Sequence, residues 1–160
     1  MSFPFVDGVR LATVQDLHRI SIVAAAAFFS SPTFQFQRPH YRQFPCDTIA
    51  SYFFQYESAL KDPCSMVLVA EDILEEAESH HVYRELQWAF SPQPSQRKDI
   101  VGVAGIQLKP GSSYAGQFQP ADMSANAAEP CHFQNLARDQ SREALDIYNA
   151  ITRPVKLEYA

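Results

Sequence analysis

Glycine is scarce in this chain: five among 160 residues, Gly8, Gly102, Gly105, Gly111 and Gly116. None stands where a strand would turn into a helix, so the sequence lacks a glycine-rich loop whose main-chain N–H groups close on a pyrophosphate. Cysteine is scarcer, with Cys46, Cys64 and Cys131 widely spaced and no Cys-x-x-Cys pair. That excludes a zinc ribbon and a thioredoxin-like motif, and the three read as reduced structural thiols. Positive charge is also short: 13 Lys and Arg stand against 18 Asp and Glu, for a net charge of −5. The basic residues form no run, so the chain has no stripe for tracking nucleic-acid phosphates. The longest apolar run, Ile22–Phe29, is far below the roughly 20 residues needed to cross a bilayer. The N-terminus has neither the basic stretch nor the apolar core of a secretory signal. A cytoplasmic protein with no nucleic-acid and no membrane partner is expected.

What is present suits one globular domain over residues 1–160. Hydrophobic residues make up 46% and aromatics 12%, enough to build a core in a chain of this length. A short strand at 9–12 leads to Thr13 and Asp16, a Thr-x-x-Asp capping signature at a helix start. Leu17, Ile20, Ala24, Ala27 and Phe28 then recur at helical spacing as one apolar face. Ser30, Ser31 and Pro32 end that helix, and 32–46 reads as an aromatic-rich loop. A second helix is expected from an Asp47 N-cap to about Lys61, burying Ile49, Tyr52, Phe53, Tyr56 and Leu60 before Asp62-Pro63 stops it.

Met66–Ala70 is an unbroken apolar run with valines, the pattern of a strand covered on both faces. Residues 82–90 suggest a short helix through Tyr83, Leu86 and Phe90. Residues 100–108 return as a strand, with Gly102 and Gly105 marking a bulge or a close backbone approach. The composition at 110–140 predicts a flexible insertion. A last helix at about 141–152 is expected to bury Leu145, Tyr148 and Ile151. Pro154 should end it, leaving Val155–Tyr159 to alternate as a strand. The expected class is α/β (α+β by some conventions): a mixed sheet flanked by helices.

Arg-x-Ala-Thr-x-x-Asp at residues 10–16 and Val-Leu-Val-Ala-Glu-Asp at 67–72, in this order and with the apolar segment at 100–109, resemble the N-terminal part of the GCN5-related N-acetyltransferase superfamily. The insertions at about 73–99 and 110–140 resemble those of a fungal subgroup. The resemblance implies an acyl-CoA N-acyltransferase-like fold and acetyl transfer from acetyl-CoA, as co-substrate, to a small-molecule or peptide amine, with no metal. That family's coenzyme-binding turn is absent from the 160 residues. The chain is therefore expected to be incomplete at its C-terminus and inactive alone. The alternatives are a non-catalytic interaction domain and a small α+β enzyme with an enclosed apolar pocket.

The resemblance places the acceptor wall between the first two helices, which nominates Phe34, Phe36, His40 and Tyr41 as substrate-binding residues. The plainer reading is that these aromatics close the core. Glu71, at the end of one strand, and Gln107, on the next, are further candidates that would border a cleft; a strand-end glutamate is more commonly solvated. His80 and His81 beside Glu75, Glu76 and Glu78 form no metal site, because adjacent side chains point apart and no third ligand is fixed. A strand at 155–159 would present an open edge, so self-association through it is also expected.

Overall fold

The computed structural model describes residues 6–76, 81–86, 97–121 and 136–158, the last five by main chain alone. The chain runs β1 (Val9–Leu11), a 3-10 turn (Val14–Asp16), α1 (Leu17–Phe28), α2 (Pro32–Gln37), α3 (Pro45–Lys61), β2 (Ser65–Ile73), β3 (Lys98–Gln107) and α4 (Arg142–Glu158). The strands form one antiparallel sheet in the order β1-β2-β3. Helices α1 and α3 pack together, α1 also on β3 and α3 on β2. This is the mixed α+β class expected from the sequence.

The opening follows its sequence signature. The Asp16 carboxylate accepts from the Thr13 main-chain N–H at 2.7 Å and from its hydroxyl at 2.9 Å. Helix α1 departs from the expected stripe: every residue from Ile20 to Ala26 is buried, while Ala27 and Phe28 are exposed. Its middle turns lie against both α3 and β3, and the alanines let those neighbours approach on several sides. In α3 the expected stripe of Ile49, Tyr52, Phe53, Tyr56 and Leu60 is buried.

Three element boundaries correct the sequence reading. Ser31 and Pro32 start a helix as well as following one: the Ser31 hydroxyl accepts from Phe34 N–H, and proline at the first helical position gives up an N–H that has no partner there. Helix α3 starts at Pro45 with Phe44 at its cap, so Asp47 lies inside the first turn. Helix α4 continues through Pro154 to Glu158, where a strand was expected. Proline in a helix costs about 3 kcal/mol, but it removes one N–H only, and Lys156, Leu157 and Glu158 are good helix formers. A helix pairs the main chain locally, whereas a strand there needs a neighbour. Within α4, Ala144 is buried, Leu145 and Tyr148 are half-buried, and Ile151 is exposed.

Strand β3 carries a bulge beside Gly102. Ala70 faces Gly102 and Glu71 faces Ile100, leaving Val101 as the extra residue. Tyr83 and Leu86 are buried as expected, but residues 83–86 form a bend and turn where a helix was expected; Phe90 and His80 lie outside the described residues.

The helical end is closed by charge. The Arg38 guanidinium ion-pairs with Asp139 and donates to the Ser51 hydroxyl at 2.6 Å. The Thr48 hydroxyl donates to the same Asp139 carboxylate at 2.7 Å. Asp139 is fully buried, and its Oδ1 has no partner. One residue earlier, Arg138 grips the buried Asp47 through Nε at 3.0 Å, Nη2 at 2.7 Å and its main-chain N–H at 2.9 Å. These contacts fix the approach to α4, whose Ser141 N–H donates to Gln37 O at 2.9 Å. Both arginines fall in the regions sequence reading left as loop or insertion. Elsewhere in the expected insertion, residues 110–121 form turns, and 122–135 lie outside the description.

Candidate functional site

The sheet leaves a wedge where α1 and α3 diverge over β3. Val23, Ala24, Ala27 and Phe28 of α1 form one wall, and Gln55, Tyr56 and Ala59 of α3 the other. Val101, Val103, Gly105 and Gln107 of β3 line the floor, and the space measures about 530 Å³. Its width comes from small residues: Ala24, Ala27 and Ala59 project little, and Gly105 adds no side chain beneath Tyr56. A Cβ at Gly105 would sit 3.8 Å from the Tyr56 ring, in ordinary contact. Burial pushes the Tyr56 phenol above its usual range, so it remains a neutral donor at physiological pH.

One end of this groove is polar. The Ser65 hydroxyl donates to Asp62 Oδ2 at 2.8 Å and lies 3.0 Å from Gln107 Oε1, while Gln107 Nε2 donates to Asp62 at 3.3 Å. The Cys64 main-chain N–H donates to Asp62 Oδ1 at 2.9 Å. That N–H, with the Ser65 and Gln107 side chains, holds the Asp62 carboxyl below its ordinary value. Asp62 thus anchors the polar end, its carboxylate accepting from Cys64, Ser65 and Gln107. Sequence reading saw Asp62 as a helix stop; its meeting with Ser65 and Gln107 depends on the β2–β3 register.

Gln107 is the nominated residue that the structure places at this groove. Glu71 lies toward the other end of β2, opposite Ile100, whereas Gln107 lies opposite Ser65. Six residues separate Ser65 from Glu71, about 20 Å of strand, so Glu71 and Gln107 do not border one cleft. Glu71 instead accepts from Arg10 at 2.9 Å, and Arg10 also clasps Asp16 through both terminal nitrogens at 2.6 and 2.9 Å. Burial pushes the Asp16 carboxyl up, but Arg10 and Thr13 outweigh that and hold it below its ordinary value.

The nominated aromatics divide. Phe34 and Tyr41 are buried and pack with Phe29, their ring centroids 5.1–5.5 Å apart. Phe36 is half exposed. His40 is exposed, and its main-chain N–H donates to Asp139 O at 3.2 Å. Tyr41 does border a second hollow of about 540 Å³, with Phe29, Gln35, Arg42, His81 and Glu85. Arg42 there donates to Glu85 at 2.7 Å, so much of that hollow's charge is paired.

Among the described residues, no group of three or more His, Cys, Asp or Glu side chains is placed to hold a metal ion. None of the described helices is long and apolar enough to cross a membrane.

The fold and groove define an α+β domain with an apolar cleft, polar at one end, beside a sheet edge. Compared with known proteins, the chain is similar to a protein named Acetyltransferase from Stachybotrys chartarum. The two are 27% identical over 157 residues, which is 98% of this chain and 57% of that protein. The chain thus spans just over half of the relative's length. No protein-family model matches the chain, and no solved structure does.

Proposed function

We propose that this chain is an N-acetyltransferase domain of the GCN5-related type, in which the groove between α1, α3 and β3 receives the acetyl-pantetheine end of acetyl-CoA and a primary amine. The observation that carries this reading is the alignment of nearly the whole chain with a protein named Acetyltransferase. The geometry supports it in two respects. Val101, Val103, Ala27 and Ala59 offer apolar walls for the arm's carbon atoms, with Tyr56, Ser65 and Gln107 as polar partners for its amides. Ser65 and Gln107, both held by Asp62, give the polar end at which the amine would sit, entering as its ammonium. The amine must then lose a proton to water. Its nitrogen attacks the thioester carbonyl, the new C–N bond replaces the C–S bond, and a proton returns to the departing thiolate.

The pyrophosphate fits the described residues less well. Asp47 and Glu143 stand in the first turns of α3 and α4, and an acidic residue at a helix start opposes a second anion. The reading therefore predicts that acetyl-pantetheine, which lacks the pyrophosphate, binds about as well as acetyl-CoA. Isothermal titration calorimetry of both against the purified chain tests it. Saturable binding of both at one site per chain is expected. A folded chain that gives no heat with either contradicts the proposal.

A further inference from the structure

The hollow of about 540 Å³ beside Tyr41 shares only Ala27 with the lining of the groove. Ala26, Phe29, Tyr41 and Val82 give it apolar lining. Arg42 and Arg84 stand with a single carboxylate, Glu85, so guanidiniums outnumber carboxylates there. That positive surplus is local, since the whole chain carries a net charge of −5. The Glu85 carboxylate is already committed: Oε2 accepts from Arg42 Nε at 2.7 Å, and Oε1 lies 3.5 Å from Arg84 Nη2. One carboxylate cannot neutralise two guanidiniums.

Arg42 is held in place without being used up. Glu85 takes its Nε N–H, and its guanidinium lies 5.4 Å from the centroid of the Tyr41 ring. Terminal N–H groups are left over, the pair whose planar fork fits a carboxylate. The Ser30 hydroxyl and the His81 imidazole also line the hollow, and neither has a hydrogen-bond partner among the described residues. Gln35 spends its Nε2 on Phe29 O at 2.7 Å and offers only its side-chain oxygen. Unspent donors therefore outnumber unspent acceptors, which suits an anion. We propose that this hollow binds a small organic acid: a carboxylate held by Arg42 and Arg84, on a compact apolar body resting against Phe29, Tyr41 and Val82. The volume is in the range of small-molecule sites. An inorganic anion would use the charge and leave the apolar lining to water, and a neutral hydrocarbon would do the reverse. The site is separate from the groove and goes beyond the acetyl-transfer reading.

Benzoate is the probe, titrated into the isotope-labelled chain and followed by NMR. Saturable shifts are expected at the amides of Ser30, Arg42 and residues 81–85. Acetate, which has the charge without the ring, and benzyl alcohol, which has the ring without the charge, should each bind roughly fivefold more weakly or worse. Arg42 is exposed, so Arg42→Gln should keep the circular dichroism of wild type while weakening benzoate roughly fivefold or more. Arg84→Gln leaves the Arg42–Glu85 pair intact and should weaken benzoate roughly twofold. Excess acetyl-CoA should leave benzoate affinity unchanged. Benzoate shifts that do not saturate overturn the proposal, as do acetate or benzyl alcohol binding as tightly. So do two arginine variants that bind like wild type, or competition by acetyl-CoA, which would make the hollow part of the coenzyme site.

Discussion

The two ends of this molecule are finished in opposite ways. Where α2, α3 and the approach to α4 meet, two arginines and two buried aspartates close the structure, with the rings of Phe29, Phe34 and Tyr41 packed nearby. Along β3 the walls are alanine, valine and glycine, one edge pairs with no other strand among the described residues, and a groove stays open. The clasp of the first region binds the chain to itself and leaves little for a ligand to satisfy. The second has unspent hydrogen-bonding capacity and apolar area. The family resemblance nominated the aromatics of the first region as an acceptor wall; the proposed site lies instead in the second.

The sharpest contrast comes from breaking the closed end. Asp139→Ala leaves the Arg38 guanidinium buried without its carboxylate, which should cost about 3–5 kcal/mol of stability. Urea denaturation measures this, and a loss well under 1 kcal/mol would show that the clasp is incidental. At the open end, Gly105→Leu should act on binding instead. Its side chain enters the groove under Tyr56 without demanding a forbidden backbone angle, since a Cβ there meets nothing closer than 3.8 Å. Affinity for acetyl-CoA should fall at least tenfold while the urea midpoint stays close to wild type. Unchanged affinity would move the site away from the groove.

Acid should weaken the fold in two steps, at the closed end and at the start of α1. The Asp47 carboxyl is held low first by its Arg138 hydrogen bonds, and Asp16 is also held low. Their depressed folded values make stability present above the unfolded carboxylate pKa of about 4. That stability is lost as pH falls through about 4 toward the folded values. His18 is pushed below its ordinary value by burial, then by Arg19. The unfolded chain thus takes up its proton first, and a smaller loss should begin as pH falls through about 6.5. Urea midpoints measured from pH 8 to 3 should show both steps, with Asp47→Asn reducing the lower and His18→Gln removing the upper.

Periodic features were legible in the sequence. The buried stripe of α3, the Thr13–Asp16 start and the three strands of the sheet follow from local spacing, which one stretch of chain reports by itself. The clasp did not follow, because Asp47 meets Arg138 and Thr48 meets Asp139 across 91 residues, and no periodicity connects such partners. Asp47 resembled a cap because capping and long-range pairing favour the same residue type. Pro154 resembled a stop because the rule for proline is local, while the continuation of α4 depends on what else the last residues have to bond. The groove was illegible for a related reason: Ala27, Ala59 and Gly105 look unremarkable until the fold sets them opposite one another.

Hydrogen–deuterium exchange with and without saturating acetyl-CoA tests most directly whether the open edge is the functional one. Slower exchange should appear in peptides covering residues 52–60 and 98–107, and peptides covering 34–42 and 81–86 should be unchanged. Protection confined to 34–42 and 81–86 would place the ligand in the hollow beside Tyr41 and contradict the assignment of the groove.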